Sequence, residues 1–170
     1  MTEAVRTEPW LRGTFGDVDA VVRAVLHSLE MAEEDVSLWC GGLTDEEINT
    51  RPFGVAPVAF HLQHIARSLD RLLSYAEGTQ LDDTQKAALK TELDAGAKRD
   101  AVMAEFAAAL HASAKRARAF SPDMYNAERR VGRAALPTTV GGLLVHCAEH
   151  TQRHVGQAVT TAKVVMAMRA

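Results

Sequence analysis

Apolar residues recur every three or four positions in four separate stretches of this 170-residue chain. The apolar positions of the first stretch are Val18, Val21, Val22, Val25 and Leu29. This spacing places the apolar side chains on one face of an α-helix, whereas a half-buried strand needs strict alternation of apolar and polar residues. No stretch of convincing length alternates in that way. The sequence therefore predicts an all-α fold, with a first helix that ends at Gly41 and Gly42.

Glycine, proline and capping residues set the expected ends of the other long helices. The second helix is predicted to run from about Pro57, which suits the first helical position, to about Glu77, where Gly78 stops it. The last helix is predicted to begin after a Thr138 cap and to run to about Met166.

The segments between the long helices are predicted to be short helices or loops. Residues 81–94 are polar and predict a short helix, and the third long helix is expected to end near residues 120–122. The charged stretch from there to Pro137 predicts a crossover loop. Four long amphipathic helices are typical of a four-helix bundle, so we expect one domain over residues 1–170 with a long crossover and short extra helices.

Charge and composition argue against several classes of function. The net charge is −3 without a basic patch, so nucleic-acid binding is not expected. The longest uncharged runs, residues 52–66 and 134–148, are too short to span a bilayer, and the N-terminal residues lack the apolar core of a signal peptide. We therefore expect a cytoplasmic protein. Two cysteines, Cys40 and Cys147, are too few for a disulfide framework, so both are expected to be reduced.

Three histidines follow one another at intervals of four in the segment HCAEHTQRHVGQ, residues 146–157. A helix turns about 100° per residue, so His146, His150 and His154 lie on one face, at the edge of the apolar stripe. At this spacing two imidazoles can bind one metal ion. Cys147 lies toward the core, and we interpret it as a small buried residue in preference to a sulfur ligand.

A second pair of histidines, His61 and His64, stands in the segment FHLQH of the second long helix. Residues three apart are neighbours on a helix surface, and on a helical wheel His61 borders the apolar stripe while His64 lies one step further out. Neutral imidazoles suit zinc, nickel or iron(II), and three protein ligands leave positions open for water or substrate. The competing interpretation is a histidine-rich face that is simply solvated, and spacing alone does not decide between the two.

Two familiar metal-site patterns are absent from the sequence. The metalloprotease pattern needs a glutamate directly after the first histidine of HTQRH, where Thr151 stands instead. Di-iron bundles need a glutamate with a histidine three residues later, and this chain has no such pair. A zinc protease and a di-iron oxidase are therefore disfavoured.

The segments VAFHLQHIARSLDRLL, residues 58–73, and HCAEHTQRHVGQ resemble the second-helix and last-helix motifs of the DinB/YfiT family of metal-dependent enzymes. The segments EPWLRGT and GLTDEEINTRP also resemble this family. The resemblance implies a four-helix bundle with up-down-down-up connectivity and a metal held by His64, His150 and His154. It selects His64 because the family's histidine stands just before an Ile–Ala pair, although the helical wheel alone slightly prefers His61. Where the family usually has an arginine, this chain has Val155.

The same resemblance implies chemistry on a small-molecule substrate. Enzymes of the wider superfamily transfer or isomerise groups with low-molecular-weight thiols such as bacillithiol or mycothiol, and they activate the sulfur at the metal. We therefore expect a metal-dependent thiol S-transferase or a related hydrolase, with zinc or nickel as the divalent metal and a homodimer as the assembly. His61 and His146 lie one turn from expected ligands and are the candidates for catalytic proton transfer, or else form a polar pocket wall. The alternative is a non-catalytic metal-binding or small-ligand-binding dimer related to stress.

Overall fold

Helices account for most of residues 7–169, which are the residues that the computed structural model describes. The helices are α1 (Ala20–Cys40), α2 (Val58–Ala76), α3 (Asp83–Ala88), α4 (Arg99–Ala117) and α5 (Val140–Ala167). Two short strands, β1 (Glu128–Val131) and β2 (Leu136–Thr139), lie between α4 and α5. The prediction of an all-α fold is confirmed, apart from this hairpin. The expected single domain stays a prediction. Residues 1–6 and residue 170 of that domain lie outside the described residues. The N-terminal residues that were expected not to form a signal peptide belong in part to this undescribed segment.

The predicted helix ends depend on local signals that the structure contains. Asp19 precedes α1, and its carboxylate accepts hydrogen bonds from the backbone N–H groups of Val21 and Val22. α2 follows directly after Pro57. Beyond the end of α2, Gly78 has a φ of +85°, a left-handed conformation that glycine adopts more easily than any other residue. The predicted short helix is present but covers less of the chain than expected, because α3 has only six residues.

The prediction of a loop between α4 and α5 is wrong in one respect, because this segment contains an antiparallel hairpin. Strands β1 and β2 pair in a register that sets Glu128 opposite Thr139. Each strand has only four residues, which is too short for alternation to be recognised against the surrounding charges. The hairpin also shifts the start of the last helix by one position. Thr139, and not Thr138, caps α5 by accepting a hydrogen bond from the N–H of Gly142 at 3.1 Å.

The four long helices share one core. α1 packs mainly against α5 and α4, and α2 packs mainly against the same two helices. The largest fully buried side chains of α2 and α5 are Leu62, Ile65, Leu69, Leu73, Leu144, Val58 and Val140. This packing places α2 beside α5 along much of their length, so the histidine-rich edges of these two helices meet.

The structure also bears on the expectations drawn from composition. Within residues 7–169, none of the helices combines the length and the apolar character needed to cross a membrane. Cys40 and Cys147 are both free and buried, as the sequence predicts. Burial raises the pKa of each thiol to about 12, so both stay protonated near neutral pH. The interpretation of Cys147 as a small buried residue is confirmed.

Candidate metal centre

The core-facing side chains of α2 and α5 determine where the histidines lie. On α2, Leu62 and Ile65 are fully buried, which leaves His61 and His64 at the margin that faces α5. On α5, the buried Val155 has the same effect on the histidines of the last-helix motif. The amphipathic pattern of each helix therefore aims imidazoles into the seam between the two helices.

Three of these imidazoles converge in the seam. His64, His150 and His154 are each half-buried, and one ring nitrogen from each lies within 4.8 Å of the others. The ring centroid of His154 is 4.5 Å from the centroids of His64 and His150, which are 5.0 Å apart. The structure thus brings together the three residues that the family resemblance implies as ligands. This cluster fits a divalent metal site, although its role as a ligand set stays a prediction.

The hydrogen bonds of His64 determine which of its nitrogens is available. Nδ1 of His64 lies 2.7 Å from Oε2 of Glu92, and Nη1 of Arg71 donates to the other oxygen of Glu92 at 2.8 Å. Burial raises the pKa of Glu92, but the hydrogen bonds from His64 and Arg71 outweigh burial and hold this pKa below its usual value. An ionised carboxylate only accepts hydrogen bonds, so Nδ1 of His64 donates and Nε2 carries the lone pair. In many metal sites a carboxylate that accepts the N–H of a histidine ligand orients that ligand in this way.

The free nitrogen of His64 faces a nitrogen of His150. The two Nε2 atoms lie 3.2 Å apart. Two imidazole nitrogens bound at about 2.0–2.1 Å to a tetrahedral zinc ion lie roughly 3.3 Å from each other. The observed separation is therefore compatible with two ligands of a shared ion, and it also fits a direct hydrogen bond between the two rings.

His61 lies behind the cluster and contacts one member of it. His61 is buried, and its Nδ1 lies 3.1 Å from Nδ1 of His154. One of these nitrogens must donate and the other must accept. If Nδ1 of His154 donates, its Nε2 is left free for a metal, and His61 carries its own proton on Nε2.

Three histidines in this seam are neutral near pH 7. Burial lowers the pKa of His150 to about 4, and nearby His154 and His64 add to the effect. The pKa of His154 is also about 4, first because of burial and then because of His64. Burial and the charges of His154 and His64 lower the pKa of His61 to about 4 as well. Neutral imidazole is the form that binds metal ions.

His146 lies one turn from the cluster on the more exposed side of α5. Its ring centroid is 5.3 Å from that of His150, and its Nδ1 lies 2.6 Å from a carboxylate oxygen of Glu149. The hydrogen bond from His146 is the largest of the effects that hold the pKa of Glu149 below its usual value. The catalytic roles of His61 and His146 stay predictions, and the structure places the first inside the seam and the second at its rim.

Two residues of the site were not found by sequence reasoning. Glu92 stands 28 positions after its partner His64, in a segment that the sequence marks only as polar. Phe60 stacks on the ring of His64 at a centroid distance of 5.3 Å, and its ring lies 5.2 Å from that of His61. A pairing of one glutamate in a polar segment with one histidine leaves no periodic signal. Phe60 stands within the FHLQH segment, and its position beside the histidine motif was the available clue.

A cavity of about 580 Å³ adjoins this cluster. His61 and Arg153 line one end, and the residues on its remaining walls are Pro52, Phe53, Val55, Ala56, Gly156, Gln157, Thr160, Thr161 and Val164. A volume of this size is typical of small-molecule sites. The candidate metal centre therefore has a chamber beside it large enough for a substrate.

Comparison with known proteins identifies a family. A model of the DinB superfamily matches residues 28–158, which span α2, α4 and both histidine motifs. No curated protein matches the sequence.

Proposed function

The chain belongs to the DinB superfamily, and from this premise we propose that it is a metal-dependent transferase that acts with a low-molecular-weight thiol. The observation that carries the proposal is the convergence of His64, His150 and His154 within 4.8 Å. Zinc and nickel are the proposed metals, because both accept neutral imidazole ligands. A divalent ion held by these histidines would lower the pKa of a thiol and so supply a sulfur nucleophile at neutral pH.

The residues around the three histidines have separate proposed roles. Glu92 holds the proton of His64 on Nδ1 and fixes the orientation of that ring. His61 accepts from Nδ1 of His154 and presents an N–H from its own Nε2. His61 is therefore proposed as a hydrogen-bond donor to a substrate or leaving group, which is one form of its predicted catalytic role. His146, at the rim beside Glu149, is proposed as the acceptor of the thiol proton.

Thiol transfer is supported over hydrolysis by the donor set. Hydrolysis needs a general base that takes a proton from water. Among the described residues, the metal-binding group contains three histidines and no carboxylate. Glu92 is already bound to His64 and Arg71, and Glu149 is bound to His146 at the exposed rim. A thiol loses its proton far more readily than water does, so it needs less help from the protein.

We also propose the up-down-down-up bundle that the resemblance implies. Two contacts link α1 and α5: Gln152–Ser28 between the helices, and Arg169–Gly42 just beyond their C-terminal ends. Between α2 and α5 the contacts are His61–His154 and His64–His150. Between α2 and α4 they are Arg67–Glu105 and Arg116–Glu77, where Glu77 directly follows α2. In the pairs α1–α5 and α2–α4 the residue numbers of the contacting residues increase together, which fits parallel helices. In the pair α2–α5 the residue numbers of the contacting residues run in opposite directions, which fits antiparallel helices. The proposed homodimer rests on the family resemblance.

The proposal is tested by metal-dependent turnover. The untagged protein is stripped with a chelator, reloaded with zinc or nickel, and assayed with bacillithiol or cysteine as the thiol and monochlorobimane as the electrophile. We expect product above the uncatalysed rate only with metal present. The double variant His150→Ala, His154→Ala should lose both metal and turnover, whereas His111→Ala, which removes an exposed histidine of α4, should keep both.

The outcomes separate the alternatives. Bound metal without turnover for any of several thiols and electrophiles would favour the non-catalytic metal-binding protein. A protein that binds no zinc, nickel or iron under reducing conditions would contradict the transferase and the metal-binding alternative together. It would leave a small-ligand-binding bundle.

A further inference from the structure

The cavity beside the histidine cluster has a charged end and mostly apolar walls, among which Gln157, Thr160 and Thr161 are the polar residues. His61 and Arg153 lie at the end near the cluster, and Val164 lies three turns further along α5. Val164 stands eleven positions after Arg153 in this helix, which corresponds to about 16 Å. The second wall is formed by Pro52, Phe53, Val55 and Ala56, the segment that leads into α2. The chamber is therefore elongated along α5.

Gly156 keeps this chamber open. Glycine weakens a helix relative to alanine, so a glycine within a long helix calls for a reason. For Gly141 and Gly142 of the same helix the reason is packing, because an added Cβ would lie 3.1 Å from Tyr125 and 3.0 Å from Thr138. An added Cβ at Gly156 would meet no neighbouring segment within 4 Å, and Gly156 instead lines the cavity. The missing side chain adds open space and no packing contact.

The segment opposite Gly156 presents apolar side chains to solvent. The side chain of Phe53 is 93 % exposed and that of Val55 is 51 % exposed. Phe53 also has a φ of +53°, a left-handed conformation that is unfavourable for a bulky residue. Exposed apolar side chains beside a cavity commonly mark a ligand site. Strain of this kind persists where the surrounding structure or the function imposes it.

The end of the cavity near the cluster carries the positive charge of Arg153, which forms only a loose ion pair with Glu149. The guanidinium of Arg153 is exposed, and a carboxylate oxygen of Glu149 lies 3.9 Å away, beyond hydrogen-bonding distance. By contrast, Arg67 and Arg71 of α2 donate directly to Glu105 and Glu92. Arg153 and His61 are therefore the groups that an anionic ligand would meet at this end of the chamber.

We propose that this chamber binds the second substrate of the transferase, a molecule with a carboxylate head and an apolar body. Its carboxylate meets Arg153 and His61 beside the histidine cluster, and its body runs along α5 past Gly156, covered by Phe53 and Val55. Most of the wall surface is apolar despite Gln157, Thr160 and Thr161, so the chamber suits an electrophile with an apolar body better than a polar thiol. This inference rests on the proposed function for the identity of the reaction, but the binding itself does not require the metal.

Octanoate provides a direct test, with the neutral octanamide as its matched partner. Binding to the full chain is measured by titration calorimetry, with and without zinc. We expect octanoate to bind the metal-free protein, and to bind about tenfold more tightly than octanamide because a charged hydrogen bond is added. Arg153→Gln should abolish this difference, whereas Arg133→Gln, which removes an exposed charge on the β1–β2 turn, should preserve it.

Gly156→Leu tests the apolar part of the chamber. The variant should lose octanoate and octanamide binding and keep zinc binding, and Ala107→Leu on the exposed face of α4 should change neither. Gly156→Ala should fold with a raised melting temperature, which separates loss of ligand from loss of fold. Octanoate binding that is unaffected by Gly156→Leu would overturn the proposal. Octanoate binding only in the zinc-loaded protein would also overturn it. So would a wild-type protein that binds no octanoate and forms a dimer that Gly156→Leu dissociates, because the chamber wall would then be a contact with a second copy of the chain.

A failure of this inference differs from a failure of the proposed function. If zinc binds and octanoate does not, the metal centre is supported and the proposed ligand of the chamber is wrong. If octanoate binds and neither zinc nor nickel does, the ligand site is supported and the proposed transferase reaction is contradicted.

Discussion

α2 presents polar side chains to two neighbours in very different ways. Toward α4 its charges are paired within the protein: Arg67 pairs with Glu105, and Arg116 of α4 bridges Asp70 and Glu77. Such pairs at the surface of a protein add little to its stability. Each of these charged groups has its partner within the protein.

Toward α5 the polar groups of α2 are not matched in this way. His64, His150 and His154 bring three imidazole rings together, with Glu92 bonded to one nitrogen of His64 and His61 bonded to one nitrogen of His154. The rings meet in a half-buried seam, where burial has lowered the pKa of His150 and His154 to about 4. One seam thus pairs its charged groups within the protein, and we propose that the other is completed by a cation. The contact between α2 and α4 is called the α4 seam below, and the contact between α2 and α5 the α5 seam. Four predictions follow from the difference between them.

The largest effect should come from removing a ligand in the α5 seam. Zinc at about a thousand times its dissociation constant should raise the free energy of unfolding by about 4 kcal/mol. His154→Ala should abolish most of this increase because it removes one of three ligands. The measurement is the melting temperature with and without zinc. Arg116→Gln in the α4 seam should keep the full zinc-induced shift, and a His154→Ala protein that also keeps it would contradict the account.

Removing the carboxylate behind His64 should have an intermediate effect. Glu92→Gln replaces an acceptor that fixes the His64 tautomer, and changes of this type weaken metal binding by about 10–100-fold. Zinc affinity is measured by competition with a chromogenic chelator. Glu105→Gln in the α4 seam removes the same charge from α4 and should leave zinc affinity unchanged. Equal affinities for the two variants would mean that Glu92 does not orient the ligand.

Acid should destabilise the metal-free protein through the α5 seam. His61, His150 and His154 have a pKa of about 4 when folded and an ordinary value of 6.5 when unfolded. The unfolded chain therefore binds more protons between these values, and stability falls as the pH drops from about 6.5 to about 4. The check is a series of thermal unfolding curves in chelator across that range. The double variant His150→Ala, His154→Ala should show a shallower decline, and an identical decline would show that other groups cause it.

The smallest effect should come from the α4 seam itself. Arg116→Gln breaks the contacts of one half-exposed guanidinium with Asp70 and Glu77, and surface pairs of this kind are worth about 1 kcal/mol or less. Chemical denaturation measures the change. A loss of several kcal/mol would show that the two seams do not differ in the way described.

The helical part of the fold follows from patterns within each segment. The apolar period of α2, its start after Pro57 and its stop at Gly78 are all local signals, and each one is realised. The β1–β2 hairpin escaped prediction because four-residue strands carry no distinct period. Its pairing depends on two segments meeting in space, which a short charged sequence does not reveal.

In the candidate site, too, the local features were predictable from the sequence and the contacts between distant segments were not. The i, i+4 spacing of His150 and His154 is local and was visible, whereas the choice between His61 and His64 was not settled by the helical wheel. In the structure His64 joins the cluster and the more deeply buried His61 bonds to His154 behind it. Only the packing of α2 on α5 sets how far each ring reaches. Glu92 was missed for the same reason, because its contact with His64 exists only in three dimensions.

The metal content of two single variants tests the central claim most directly. Untagged wild-type, His64→Ala and His61→Ala proteins are loaded with zinc, desalted and analysed by plasma mass spectrometry. The account predicts close to one zinc per chain for the wild type, a near-complete loss in His64→Ala and retention in His61→Ala. A wild type without zinc, or a His64→Ala protein that retains it as well as His61→Ala does, would contradict a metal centre formed by His64, His150 and His154.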